Sequence, residues 1–524
     1  MDRNTITGLV LIGLILTVFS IINKPSEEEI KEQQKKEIAK TEKIKSDKNK
    51  ATVNDTTVRD TTSTNQPVMD DANEMISDTV QPVEKKVVRD TVIKKETDKF
   101  IIHFSNIGGQ IQALYLKEYK SYNNYKANKN EALCLFDKGD HLTAFTFYDG
   151  NTRINTAKWD FDFDNSQANK IIFSCDYKKG KVVQSYQLKN GSFNIDYQVQ
   201  FVKLDNVSKD NIQLTWKTSF LQTEKLLSEQ RRVSTVCFNE VEEGFDYLSE
   251  TSDDESDLEN DVTWIAYKQS YFSSILQPQQ PFQKKKSQMI VRTYSEGSSK
   301  DSTHVKDFQS VLSLNLDKNS NNTVSFKWFF GPNDYEVLKD ANPEYTQILN
   351  FGWGLFRWIN IYAVQPIFNF LLGTGMGLGI AILILTLIIK TLLMPVQWKM
   401  FVSSVKMKIL KPKTEALNEK YPNKEDAMKK QMEMMNLYKE SGASPLSGCL
   451  PMLIQMPILL AVFRFFPSSF DLRQQSFLWA DDLSSFDSIW DFGFSIPIYG
   501  DHMSLFTLLM AATTLGYTFM NSGN

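Results

Sequence analysis

The stretch MGLGIAILILTLIIKTLLMPV, Met376 to Val396, decides how the rest of the chain is read. As a helix rising 1.5 Å per residue it reaches about 31 Å, enough to cross a bilayer's hydrocarbon. One charge, Lys390, interrupts it about four turns from the start and less than two from the end. A lysine at that depth costs on the order of 2.5–3.5 kcal/mol on insertion scales. Two readings compete. The four-carbon stem reaches the nearer headgroups, or the ammonium faces a wet cavity. Thr386, Lys390 and Gln397 stand at i, i+4 and i+11, one face of a helix whose other positions, Thr391 apart, are apolar. A span surrounded by lipid has no use for such a stripe, whereas one lining a cavity does.

Further apolar blocks near residues 6–22, 449–466 and 503–520 mark a multi-domain membrane protein. The 524 residues carry a net charge of −4, giving no reason to expect direct nucleic-acid recognition. Cys134, Cys175, Cys237 and Cys449 form no C-x-x-C pair and have no histidine cluster beside them, so no metal site is expected and the thiols read as free. Residues 1–24 read as an uncleaved transmembrane anchor, because no small-residue cleavage site follows Ile22. From Ser26 to about Lys99 no aromatic residue occurs; residues 25–98 therefore read as a flexible charged tether.

Residues 99–342 change character. Phe100–Ser105, Gln110–Leu116, Lys170–Tyr177, Val182–Leu188, Phe193–Lys203, Asn211–Phe220, Ser287–Tyr294, Ser310–Leu316 and Thr323–Phe330 read as short strands. Asn190-Gly191 predicts a type I′ hairpin turn. Many strands without βαβ spacing predict an all-β, two-sheet antiparallel sandwich outside the cytoplasm. The acidic run Ser249–Asp261 reads as a solvated insertion, lacking the glycine and terminal glutamate of a calcium loop.

Tyr345, Phe351, Trp353, Phe356, Trp358, Tyr362 and Phe368, with Arg357 and Asn360, predict an amphipathic interfacial helix within residues 343–373. A transmembrane helix follows over residues 374–396. Residues 397–446 then form a hairpin of two helices, Trp398–Tyr421 and Lys424–Ser441. Gln397–Ser447 holds ten lysines, no arginine and six acidic residues, which by the positive-inside rule makes it cytoplasmic. Met428, Met432 and Met435 form a stripe on its second helix; it either packs the hairpin or meets apolar partners. Residues 447–466 are a second span carrying Pro451, Gln455 and Pro457. Residues 467–502, with six aspartates and only Arg473, are an outer loop, and residues 503–520 a third span with Ser504, Thr507, Thr514 and Thr518 on one face.

The run Leu437-Tyr438-Lys439-Glu440 through Ser444-Pro445-Leu446-Ser447-Gly448-Cys449-Leu450-Pro451-Met452-Leu453-Ile454-Gln455-Met456-Pro457-Ile458 resembles the bacterial branch of the YidC/Oxa/Alb membrane-protein insertases. Ile409-Leu410-Lys411-Pro412-Lys413 is similar to that family's first hairpin helix, and Trp264–Leu276 (WIAYKQSYFSSIL) to part of its periplasmic domain. The resemblance covers essentially the whole chain. The tether and acidic insertion look like the Bacteroidetes form.

The resemblance implies an α-helical transmembrane core with an all-β periplasmic super-sandwich, in the bacterial inner membrane with the N-terminus cytoplasmic. It implies an insertase and chaperone for nascent membrane proteins, not an enzyme, acting alone or with the Sec translocon and needing no cofactor. Lys390, Thr386, Gln397, Gln455, Met456, Leu459, Thr507 and Thr514 would border a hydrophilic groove. Lys406, Lys408, Lys411, Lys413, Met428 and Met432 would be hairpin contacts for substrate, ribosome or signal recognition particle receptor; the lipid bilayer is the remaining partner. Two departures stand out. The family's groove charge is usually arginine, and its core has five spans here, whereas this chain stops at Asn524 after the third; the expectation is a truncated sequence lacking two closing helices. A channel or ion-coupled transporter using Lys390 as counter-charge is the competing reading. Only three core spans and no paired intramembrane acid argue against it.

Overall fold

The computed structural model describes residues 90–204, 212–314, 316, 322–422, 426–442, 450–496 and 500–522. The expected anchor, nearly all of the tether and the Ser444–Cys449 part of the family-like run lie outside them. The described residues fall into two units, one within Thr391–Gln455 and the other within Asp71–Lys390 and Met456–Asn524.

In the larger unit, alternation builds the sheets. Asn194–Val202 and Thr323–Pro332 bury every second side chain over most of their length and pair antiparallel, Tyr197 opposite Phe326. Among the described residues nine strands form one sheet and six another, with a four-stranded and a two-stranded sheet besides. All the pairings are antiparallel, as expected of a sandwich. The two large sheets meet through aromatic rings. Trp216 of the six-stranded sheet stacks on Tyr267 of the nine-stranded one at 3.6 Å, and the Tyr267 hydroxyl donates to the Trp216 carbonyl at 2.8 Å. Trp328 meets Trp216 edge-on at 5.7 Å. Cys134, Cys175 and Cys237 are free thiols, and burial pushes the Cys175 and Cys237 thiols up to about 12.

Four expectations need correction here. The tether does not extend to residue 98: Val92–Glu96 is a strand pairing with Phe100–Ser105, because TVIKKE alternates and buries Ile93 and Lys95. The Asn190-Gly191 turn is not type I′. Only Gly191 has positive φ, and Leu188 pairs with Ile195, leaving a six-residue loop. Asp98 explains the difference, since its carboxylate accepts the Gly191 N–H at 2.7 Å. The acidic run is not wholly a solvated insertion: Asp254–Asp257 is an edge strand against Gln283–Arg292, with Arg292 and Glu255 paired at 3.3 Å. Finally, the interfacial segment is not one helix. Pro343–Ile348 is a 3₁₀ turn with Tyr345 buried, and Leu355–Gly373 is helical with a π stretch at Asn360–Val364.

The helical boundaries move as well. Leu378–Ile409 is one helix running through Pro395, with no break near residue 397. The hairpin helices are Lys411–Lys420 and Ala427–Glu440, shorter than expected; the chain breaks at Leu410, just before Pro412, which sits in the first turn of the next helix. Leu450–Ser468 contains Pro457, and the third apolar helix is Leu505–Ser522.

Candidate functional site: the lysine-bearing helix and its supports

Leu378–Ile409 is the described helix long and apolar enough to cross a membrane. Its first half has two faces. Ala381 and Leu385 are buried, while Leu383, Leu387 and Lys390 are exposed. No hydrogen bond or ion pair holds the Lys390 ammonium among the described residues. One turn earlier, the Thr386 hydroxyl donates to the Ile382 carbonyl at 2.9 Å, so its polarity is satisfied within the helix. In the smaller unit Gln397 donates from its amide to the Gln455 side chain at 3.3 Å, the one pair of predicted groove residues whose side chains are joined by a hydrogen bond among the described residues. Met456 is half-buried and Leu459 exposed. Thr507 sits at the start of its helix, where Ser504 donates to it at 2.9 Å, and Thr514 donates to the Met510 carbonyl at 2.7 Å.

Lys406, Lys408, Lys411 and Lys413 are all exposed. The hairpin is held instead by Glu433, which accepts from Lys420 at 3.0 Å and from the Tyr421 hydroxyl at 2.7 Å. Of the methionine stripe, Met428 and Met432 are exposed and Met435 is half-buried.

Sequence reasoning missed a set of supports, all within the larger unit. Asn360 was placed at the headgroups, yet it is fully buried and donates to the carbonyls of Phe351 at 2.9 Å and Ala461 at 2.7 Å. Phe351 and Phe368 flank Phe465 at 5.6 and 5.5 Å, fixing this segment to Leu450–Ser468. Arg357 turns inward too, donating to the carbonyls of Leu349 and Thr346. Trp353, Trp358, Tyr362 and Phe370 keep an exposed aromatic face.

The segment expected to be an outer loop is docked around residues 470–487. Arg473 is almost wholly buried and pairs with Glu224 at 2.9 Å, donates to the Lys120 carbonyl at 2.6 Å and lies over the Phe272 ring. Burial raises the Glu224 carboxyl and Arg473 draws it back. Phe470 enters a cage of Tyr119, Phe272 and Tyr271 with ring centroids 5.4, 5.7 and 6.1 Å away. Asp487 accepts the Leu505 and Phe506 N–H groups at 2.8 and 3.1 Å, capping the third apolar helix. Phe477 lies against Gly379, where a Cβ would come within 2.1 Å of its ring, so glycine is required at the head of the lysine-bearing helix. A lone arginine among six aspartates was the available sequence signal, and it was read only as a topology marker.

Residues 92–369 match the family model described as YidC periplasmic domain, and residues 370–524 the one described as 60Kd inner membrane protein. The membrane protein insertase YidC of Bacteroides fragilis is 33% identical over 525 residues, covering 98% of this chain and 82% of that protein. That of Parabacteroides distasonis is also 33% identical, over 99% of this chain and 83% of its own length. The chain belongs to the YidC family of membrane protein insertases. It is therefore an inner membrane protein with a periplasmic domain that acts on nascent membrane proteins, and not an enzyme. A crystal structure of an active YidC insertase with its first transmembrane domain resolved is 18% identical, with TM-score 0.26 over 76% of this chain and 79% of that one. A galactose mutarotase related enzyme from Lactobacillus acidophilus has TM-score 0.29 at 8% identity, over 46% of this chain and 97% of its own.

Proposed function

We propose that this YidC-family insertase admits the polar part of a nascent membrane protein through a wet groove bordered by Lys390, and releases its apolar part sideways into lipid. The observation that carries this reading is the exposed Lys390, whose ammonium has no partner among the described residues, within the described helix long and apolar enough to cross a membrane. An ammonium there is tolerable only where water reaches it. A partly hydrated groove lowers the cost of carrying polar backbone through apolar thickness. At 4 Å, Lys390 attracts a passenger carboxylate by about 1–4 kcal/mol, depending on local dielectric. That biases entry without trapping the passenger.

Thr386, Gln397, Gln455, Met456, Leu459, Thr507 and Thr514 are proposed to border the same groove. The topology that goes with it has the N-terminus and the lysine-rich hairpin in the cytoplasm, the sandwich and docked loop in the periplasm, and three core spans between them. The exposed Lys406, Lys408, Lys411, Lys413, Met428 and Met432 suit a cytoplasmic receiving surface for the ribosome or the signal recognition particle receptor, and the periplasmic domain a contact with the Sec translocon. Because a point-like ammonium replaces the usual guanidinium, the charge matters more than a bidentate fork. In a proteoliposome insertion assay, Lys390→Glu lowers insertion of passengers with acidic translocated segments about tenfold or more, while Lys390→Arg stays within about twofold of the parent, the energy range above setting both figures. Equal loss in both variants, or in neither, contradicts the role.

A further inference from the structure

The solvent face of the six-stranded sheet holds a cleft of about 620 Å³, lined by residues of all six strands. The strands run in the order Asp254–Asp257, Gln283–Arg292, His304–Leu314, Ile212–Leu221, His141–Asp149 and Thr152–Asn155. Their pairing sets a row across the middle. Gln288 stands opposite Val311, Val311 opposite Thr215, and Thr215 opposite Ala144. Gln309 and Thr146 flank that row, each two residues along its strand and so on the same face. The chain neighbours Trp216, Phe308 and Phe145 are buried in the core, so alternation turns the row toward the cleft.

The polar groups of this lining are poised for a ligand. Thr215, Gln288 and Gln309 are half-buried, and their side chains have no hydrogen-bond partner among the described residues. Thr146 is almost wholly buried yet borders the cleft; its oxygen accepts from Asn155 at 2.9 Å, and its O–H has no acceptor among the described residues. Charge is held to the margins. Lys217 is paired with Asp307 at 3.1 Å and Asp140 with Lys300 at 2.6 Å, while Arg153 and Asp257 sit on the two outermost strands and Lys286 on the strand next to Asp257. An ionic ligand therefore gains little at the centre. An extended peptide gains little either, because the central strands are bonded to neighbours on both sides and offer no free edge to extend. A carboxamide presents a donor and an acceptor together, and so does each hydroxyl of a sugar. Ala144 and Val311 leave a small apolar floor between these groups, which suits the C–H face of a sugar ring.

We propose that this cleft binds a short uncharged oligosaccharide, with Thr215, Gln288 and Gln309 bonding its hydroxyls. The site is independent of the Lys390 groove. Its test uses the full chain in lipid nanodiscs, because the head of a maltoside detergent is itself a candidate ligand. Saturation-transfer NMR with maltotriose and with tri-N-acetylchitotriose should show transfer from the protein to at least one of them. The double variant Gln288→Ala/Gln309→Ala should weaken that binding at least about fivefold, the scale of one lost hydrogen bond. Gln198→Ala, in a cleft of the nine-stranded sheet, should leave it unchanged. Thr215→Val keeps its shape and removes the hydroxyl; it should weaken binding too, and it carries the test if the double variant unfolds at a lower temperature than the parent. No transfer to either trisaccharide overturns the proposal. So does transfer that is equal in the parent and the cleft variants, or stronger transfer to a neutral glycine–serine tetrapeptide.

Discussion

The sandwich and the lysine-bearing helix use the same apolar side chains to opposite ends. In the sandwich, Trp216, Trp264, Trp328 and Tyr267 are wholly buried, and the Tyr267, Trp264 and Trp328 polar atoms find partners in Trp216, Glu344 and Ser274. In the helix, Leu383 and Leu387 are exposed while the backbone around them is bonded within the element itself. The first region excludes water to fold. The second has settled its backbone and leaves its side chains to another solvent. Apolarity in this sequence therefore carries two meanings, and Lys390 stands out because it belongs to neither.

The comparison is most easily broken in the sandwich. Trp328→Ala should cost about 3–5 kcal/mol of periplasmic-domain stability in denaturant titrations, as for other buried aromatic truncations; a loss below about 1 kcal/mol would mean that this core is not close-packed. Next comes the docked loop, a piece of the helical region drawn into the sandwich's environment. Glu224→Gln leaves the Arg473 guanidinium buried without its counter-charge, a change of about 3 kcal/mol before relaxation. Amide hydrogen exchange over residues 470–486 should then rise at least tenfold while the sandwich strands stay protected. Unchanged exchange would make the pair incidental. The smallest effect is expected at Leu387→Ala: within about 0.5 kcal/mol in a bilayer, read as retained thermal stability of the reconstituted protein. A loss like that of a core leucine would show this face packed against protein.

The elements that alternate cleanly were legible in the sequence: Phe100–Ser105, Gln110–Leu116 and Lys170–Tyr177 have the bounds their patterns predict. Val262–Lys268 and Phe272–Pro278 were not read as strands, because VTWIAYK is buried on both faces and shows no period of two. Val92–Glu96 hid in a charged stretch whose alternation is carried by only two inward residues, one of them Lys95. At the candidate site, Lys390 and the lysines of the hairpin could be picked out because charge is conspicuous in apolar or positive runs. Asn360, Glu224 and Asp487 could not, since what distinguishes them is a partner about 100 or more residues away for the first two, and the N–H groups of a helix start for the last; Arg473 stood out by its charge, but its partner did not. The span was expected to end at residue 396, yet the helix continues through Pro395 to Ile409, since a proline removes one donor and the turns on either side keep theirs.

The central claim is that Lys390 is wet within an apolar layer, and cysteine accessibility tests it most directly. The full chain carrying Lys390→Cys, in sealed inner-membrane vesicles with the cytoplasmic face outward, is treated with a membrane-impermeant maleimide beside a Leu383→Cys control. The account predicts that position 390 labels at least tenfold faster than position 383. Equal, slow labelling at both positions would place the side chain among acyl chains and contradict it.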